Sequence, residues 1–341
     1  MKKFLSITLI LALALTLSLS FVACKGESQD VDGITKINYE TILKDYLAYP
    51  DAKNEASMAA VNRNVTDIFN DSSLTDAQKI AQIMERATKN EIECAYFSYF
   101  RNQVGETKIG DNSGQLIYQR LRKQSNTLKD DTTIKLPINH NFGSTETKFV
   151  TSAVIRYVNN GKYNRIKNQS NIVYNTENGL LEVDKWERDS KWNIDESAES
   201  SRSYDEARKT CINWNVENIV DSNKDISITE KEDGNNNKYY ELKFSINVNA
   251  ANNDKTTIDR LQNDNSGKNM KYEYCNLVVE IWKNGLTKRY QIDESWSGKI
   301  GAAFIWYEGS AQSKSEIIFS YSERDLDNSK TEAIYQGIVK K

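Results

Sequence analysis

Two acidic tripeptides, Asp195-Glu196-Ser197 and Asp293-Glu294-Ser295, come nearest in type and spacing to a catalytic arrangement. Adjacent carboxylates can serve as acid and base or as cation ligands. On a strand, however, neighbouring side chains point to opposite faces, so neither pair converges on one substrate atom. Their recurrence reads as a shared turn or strand end. His140, between Asn139 and Asn141, has no assignable serine or cysteine nucleophile and makes no triad. As the single histidine of the chain it also gives no basis for a zinc cluster. No Gly-rich phosphate loop, His-Glu-x-x-His or Gly-x-Ser-x-Gly motif occurs. The acidic loops at residues 231–237 and 324–328 fall short of EF-hand spacing and read as hairpin turns. The sequence therefore assigns no catalytic residue, no metal ligand and no cofactor, and leans away from an enzyme.

Four cysteines are present: Cys24, Cys94, Cys211 and Cys275. Setting Cys24 aside leaves an odd number with no Cys-x-x-Cys spacing, so buried thiols are the reading taken over a Cys211–Cys275 bridge.

Lys2 and Lys3 make a positively charged start, and residues 4–22 follow as an apolar run broken only by Ser and Thr. Charge followed by an apolar run is the order of an export signal. The run closes on Phe21-Val22-Ala23-Cys24, which resembles the lipobox of bacterial lipoproteins, where a small residue precedes the modified cysteine. The departure from that pattern is Phe21, where an aliphatic residue is usual. The resemblance implies cleavage between Ala23 and Cys24 and a diacylglyceryl thioether on Cys24. Two acyl chains hold stably where one, at about 0.8 kcal/mol per buried methylene, holds only marginally. The competing reading is an uncleaved span, since the run is nearly long enough to cross a bilayer. Either way the body is tethered at the extracytoplasmic face of the cell membrane. Removing residues 1–23 takes away two lysines and no acid, moving the formal charge from −3 to −5. That mild acidity argues against nucleic acid as a partner.

The spacing divides the chain of 341 residues into a signal at 1–23, a tether at 24–34, a helical segment at 35–90, and two β-rich repeats at 91–200 and 205–341. Residues 51–69 show a helical pattern, and Thr75 and Gln78 are placed as a capping box ahead of Ile80, Ile83, Met84 and Ala87. Alternation then predicts strands at Ile92-Cys94-Tyr96, Ile212-Trp214-Val216, Leu242-Phe244-Ile246-Val248 and Cys275-Leu277-Val279-Ile281, with two more at residues 300–307 and 315–321. Asn178-Gly179 and Asn284-Gly285 predict two-residue hairpins.

Residues 148–168 can be laid on residues 243–263, Asn178-Gly179-Leu180 on Asn284-Gly285-Leu286, and residues 191–197 on 289–295, in the same order. The recurrence reads as a duplication. Residues 254–263 are read as a helix capped by Asp254, and residues 198–208 as the join between copies. Of Trp186, Trp192, Trp214, Trp282, Trp296 and Trp306, most are assigned to the core, whereas Trp282 lies opposite the Cys275–Ile281 face and is read as outward.

The fold class expected is α+β, with N-terminal helices followed by two tandem, mainly antiparallel sheets. Helices followed by long antiparallel strands resemble the lipoprotein-carrier families whose half-barrel sheet cradles acyl chains; this resemblance of element order implies a hydrophobic ligand. The expected role is a membrane-anchored body that binds a hydrophobic small molecule, a glycan or an envelope protein through a sheet face or cleft. A solute-binding lipoprotein of a transporter and an envelope hydrolase are the alternatives.

Overall fold

Thr75 starts the long N-terminal helix by the expected device. Its Oγ1 accepts from the Gln78 N–H at 3.3 Å while the Gln78 Oε1 accepts from the Thr75 N–H at 2.9 Å. In the computed structural model, which describes residues 49–50, 63–94, 96–125, 128–136, 150–159, 162–168, 193–194, 219–265, 267–302 and 305–321, this helix is α2 (Asp76–Glu93). A single turn, α1 (Thr66–Asn70), precedes it and is tied to it by Arg86 and Asp67 at 2.6 Å. Ile80, Ile83, Met84 and Ala87 are all buried, so the stripe read from the sequence lies on the sheet. Thr75→Ala removes one half of the box and is expected to cost about 1 kcal/mol, read as a lower urea midpoint at unchanged slope.

The expected strand at Ile92-Cys94-Tyr96 is not formed. α2 continues through Glu93, the Cys94 N–H donates to the Asn90 carbonyl at 2.9 Å, and the first strand begins at Tyr96. Asn90 and Glu91 continue the buried stripe as polar residues, which hides the last helical turn from a hydrophobic pattern.

The strands are β1 (Tyr96–Ile109), β2 (Asn112–Ser125), β3 (Leu128–Leu136), β4 (Val150–Asn159), β5 (Lys162–Asn168), β6 (Asn193–Ile194), β7 (Ser227–Glu232), β8 (Lys238–Ser245), β9 (Gly267–Trp282), β10 (Thr287–Ala302) and β11 (Ile305–Ser320). They form one sheet in the order β6-β5-β4-β3-β2-β1-β11-β10-β9-β8-β7, antiparallel throughout. Two tandem sheets are thus overturned. Each half is a meander, and the first strand of one pairs with the last strand of the other from Ser98↔Ser320 to Ile109↔Gly309. The physical reason is edge satisfaction: separate sheets would leave β1 and β11 as long unpaired edges, and joining them satisfies both backbones.

Helices are not confined to the N-terminal segment either. α3 (Val248–Asn253) and α4 (Lys255–Asn265) sit between β8 and β9, so the expected layer order is corrected as well. Asn247 caps α3 by accepting from the Ala250 N–H at 3.2 Å. Asp254 accepts from the Thr257 N–H at 2.8 Å at the start of α4, as the sequence indicated. The Asn252 side chain exchanges two bonds with the Tyr272 backbone, at 2.9 and 2.7 Å, and so fixes α3 against β9.

These caps also separate the two segments that looked like a repeat. Described residues of 148–168 belong to β4 and β5, closed by the Asn159↔Lys162 pair. Residues 243–263 finish β8 and then form α3 and α4. Ile292 to Ser295 fall in the middle of the long β10 rather than at a strand end, and the expected strand at 300–307 is split between β10 and β11. Register shifts at Ser295/Trp296 and Ser297/Lys299 let β10 run through positions that read as punctuation.

The Asn284-Gly285 hairpin forms, with a three-residue loop instead of two. The Trp282 N–H donates to the Leu286 carbonyl at 2.9 Å and the Gly285 N–H to the Trp282 carbonyl at 2.8 Å. Gly285 has φ +83°, and a Cβ there would strike the Arg63 carbonyl, so glycine is required.

One face of the sheet carries Leu242 and Phe244 of β8, Leu277, Val279 and Ile281 of β9, and Tyr290 and Ile292 of β10, all buried in one cluster with α2. Trp282 contradicts the expectation that it faces out: it is 1 % exposed, with the Tyr49 and Tyr239 rings edge-on at 5.2 and 5.8 Å. The sheet is covered on both faces at that end. Trp296 is buried and Trp306 half-buried. Trp186, Trp192, Trp214, Asn178-Gly179 and residues 198–208 lie outside the described residues. Among the described residues, no helix is long and apolar enough to cross a membrane.

Candidate functional site

The Asp293-Glu294-Ser295 motif lies where β10 is flanked by β9 and β11, and its two carboxylates diverge as strand geometry requires. Asp293 accepts from the Tyr274 hydroxyl at 3.2 Å on one face. Burial and then the Asp293 charge hold the Tyr274 phenol above its usual pKa. Glu294, 7 % exposed, points to the helix-covered face, where Arg101 of β1 lies 4.0 Å away and the Ser313 hydroxyl donates to it at 3.5 Å. Gln103 donates to the Ser313 Oγ at 2.8 Å, and Arg101 donates to the Gln103 Oε1 at 3.1 Å and the Ser315 Oγ at 3.4 Å. This polar network crosses the seam between the two meanders. It pairs charge and fixes register rather than presenting two carboxyls to one point.

Cys275 pairs across from Glu294 and is a buried thiol. Burial, and next the Glu294 charge, push its pKa well up, so it stays a thiol and is no nucleophile. Cys94 is buried at the end of α2. The turn at residues 231–237 is the hairpin expected. Asp233 accepts from the backbone of Asn235 and Asn237 at 2.8 Å each and from the Asn237 side chain at 3.0 Å. Burial works to raise the Asp233 pKa, yet the bonds from Asn237 and Asn235 outweigh it and hold the carboxyl low. Among the described residues, no group of three or more His, Cys, Asp or Glu could hold a metal ion. Cys24, His140, Asp195, Glu196, Ser197, Cys211 and residues 324–328 lie outside the described residues.

A cluster of buried charges that the sequence reading missed lies between β9 and β10. Glu280 of β9 is 2 % exposed and binds two cations of β10. The Lys288 ammonium is 2.5 Å from its Oε2, and the Arg289 guanidinium bonds its Oε1. Register shifts between Thr287 and Arg289, so this bulge lets both cations reach one carboxylate. The second nitrogen of Arg289 lies 3.2 Å from Glu316 on β11. Lys288 also sits over the Tyr239 ring at 4.0 Å and 5.3 Å from the Trp282 ring centre. The available signal was a lone acid inside the apolar run 277–282, facing two adjacent cations across the Asn284-Gly285 turn.

Burial pushes the Glu316 carboxyl up to about 7. The Arg289 guanidinium, which also bonds Glu280, lies beside this carboxyl at 3.2 Å. A carboxyl whose folded pKa exceeds its ordinary 4.5 binds more proton folded than unfolded between those values. Its stabilising contribution is complete below the lower value and is lost as pH rises through the higher one. Glu316→Gln is therefore expected to stabilise the protein by roughly 1–2 kcal/mol at pH 8, allowing for partial solvent screening, and to change little at pH 5. Urea unfolding at the two pH values checks this.

Comparison with known proteins adds little. No family model matches the chain, and no curated protein matches it. Among solved structures, a DUF1329 family protein from Desulfovibrio piger is similar at 12 % identity and a TM-score of 0.22, over 75 % of this chain and 99 % of that one. A likeness that slight transfers neither fold nor function.

Proposed function

We propose that this chain is a lipid-anchored lipoprotein of the extracytoplasmic membrane face, whose body binds a hydrophobic small molecule without catalysing a reaction. The observation that carries the reading is the order Lys2-Lys3, apolar residues 4–22, then Ala23-Cys24. The body sets α2 on the apolar, aromatic-rich face of a long antiparallel sheet, and the guest is proposed to lie along that interface. A transporter's solute-binding lipoprotein is disfavoured, because those are doubly wound around parallel strands and every strand pairing described here is antiparallel. An envelope hydrolase is disfavoured at Asp293 and Glu294, which occupy opposite faces.

The test is native mass spectrometry and solvent extraction of the full chain, purified from membranes in detergent. The expected result is an apolar molecule held in fixed ratio beyond the covalent anchor; a body that carries none, and takes up none from a panel of lipids, contradicts it.

A further inference from the structure

The end of the sheet away from the Asn284 turn brings lysine and aromatic side chains together. Here β10 finishes at Ala302 and β11 begins at Ile305, and the neighbouring β1–β2 turn joins them through the Gly110 N–H, which donates to the Glu308 carbonyl at 2.8 Å. Tyr307 is 46 % exposed, the more exposed of the two large hydrophobic residues at the described surface. Its neighbour Trp306 is half-buried and carries the Lys268 ammonium 4.2 Å above its ring. Consecutive residues on a strand point to opposite faces, so the two rings flank the tip on both sides. Lys299 pairs across from Lys268 and reaches Glu308 at 3.3 Å.

We propose that this tip, formed by Lys268, Lys299, Trp306 and Tyr307, rests in the headgroup layer of the membrane that carries the anchor. Trp and Tyr combine an apolar ring with a polar edge and collect at membrane interfaces, while lysine lays its methylene stem along apolar surface and keeps its ammonium among phosphates. With the adjoining β1–β2 turn counted, Lys108, Lys268 and Lys299 stand against Asp111 and Glu308, a small positive excess of the sign that an anionic lipid surface attracts.

The length of chain leading to the anchor permits the contact, a point that rests on the lipid-anchor reading. Tyr49 packs on Trp282, at the opposite end of the sheet. From Cys24 to Tyr49 the chain reaches at most about 80–90 Å. The 16 residues of β10 cover about 50 Å. The anchored surface is therefore within range of the far tip.

The test reconstitutes the lipidated full chain into vesicles of phosphatidylcholine and phosphatidylglycerol, with and without brominated acyl chains that quench nearby tryptophan. The share of fluorescence lost in Trp306→Phe is expected to fall about twofold in brominated vesicles, and Lys268→Glu with Lys299→Glu to weaken that quenching. A chain that floats with its vesicles while the Trp306 share stays unquenched overturns the tip contact alone. Quenching that persists unchanged in Trp306→Phe, arising from other tryptophans, also overturns it. A chain that does not float overturns both the contact and the anchor.

Discussion

Replacing Glu280 with alanine is expected to cost about 3–5 kcal/mol of stability. The reason is asymmetry. The carboxylate is 2 % exposed and answers two cations, Lys288 and Arg289. Arg289 keeps Glu316 when Glu280 is removed, but Lys288, itself buried, keeps the faces of Tyr239 and Trp282 and the more distant charge of Asp233. A cation over aromatic rings recovers on the order of 1–2 kcal/mol, less than the loss of an ionic partner in a dry site. Removing both members of the pair should therefore hurt less than removing one. Glu280→Leu combined with Lys288→Met is expected to recover more than half of the loss, since it leaves no buried charge behind. Urea unfolding of the parent, Glu280→Leu, Lys288→Met and their double variant forms a double-mutant cycle that measures the coupling; a loss below about 1 kcal/mol for Glu280→Ala would mean that water reaches this site.

The second large effect is expected at Gly105, in the seam itself. This residue sits on β1 between Leu116 of β2 and Ser313 of β11. A Cβ added there would strike the Gln312 carbonyl oxygen and stand 2.7 Å from the Ser313 Cα. Both obstacles are backbone and cannot rotate away, so Gly105→Ala must push β1 and β11 apart. The expected cost is about 2–4 kcal/mol, at or above the upper end of what overpacking usually does, because it falls on the pairing that joins the two meanders. Faster amide exchange should appear in β1 and β11 before it appears in β8 or β9. Gly234 is the control: nothing lies within 4 Å of an added Cβ, and its alanine variant should stay within about 0.5 kcal/mol.

Local features were readable from the sequence, and long-range ones were not. The Thr75–Gln78 capping box, the buried stripe from Ile80 to Ala87, the Cys275–Ile281 face and the divergence of Asp293 from Glu294 all follow from periods and spacings over a few residues. The single sheet does not. Pairing of β1 with β11 joins residues 200 or more positions apart, and alternation says that a strand has two faces without saying which strand lies beside it. The apparent repeat misled because shared Lys-Phe and Asn-Asn letters are weaker determinants than the caps at Asn247 and Asp254, which turn the second segment into helix. Alternation placed Trp282 on the correct strand, but whether that face is covered depends on Tyr49 and Tyr239, from elsewhere in the chain. The Glu280 cluster needed a bulge at Lys288, and a hydrophobic pattern carries no mark of a one-residue register shift.

The functional account depends on how the chain is held at the membrane, and its most direct test is mass spectrometry of the mature N-terminal peptide from membrane-extracted protein. The account predicts a chain that begins at Cys24 and bears the mass of a diacylglyceryl thioether on that sulfur. A chain that retains residues 1–23 with an unmodified Cys24 would contradict it.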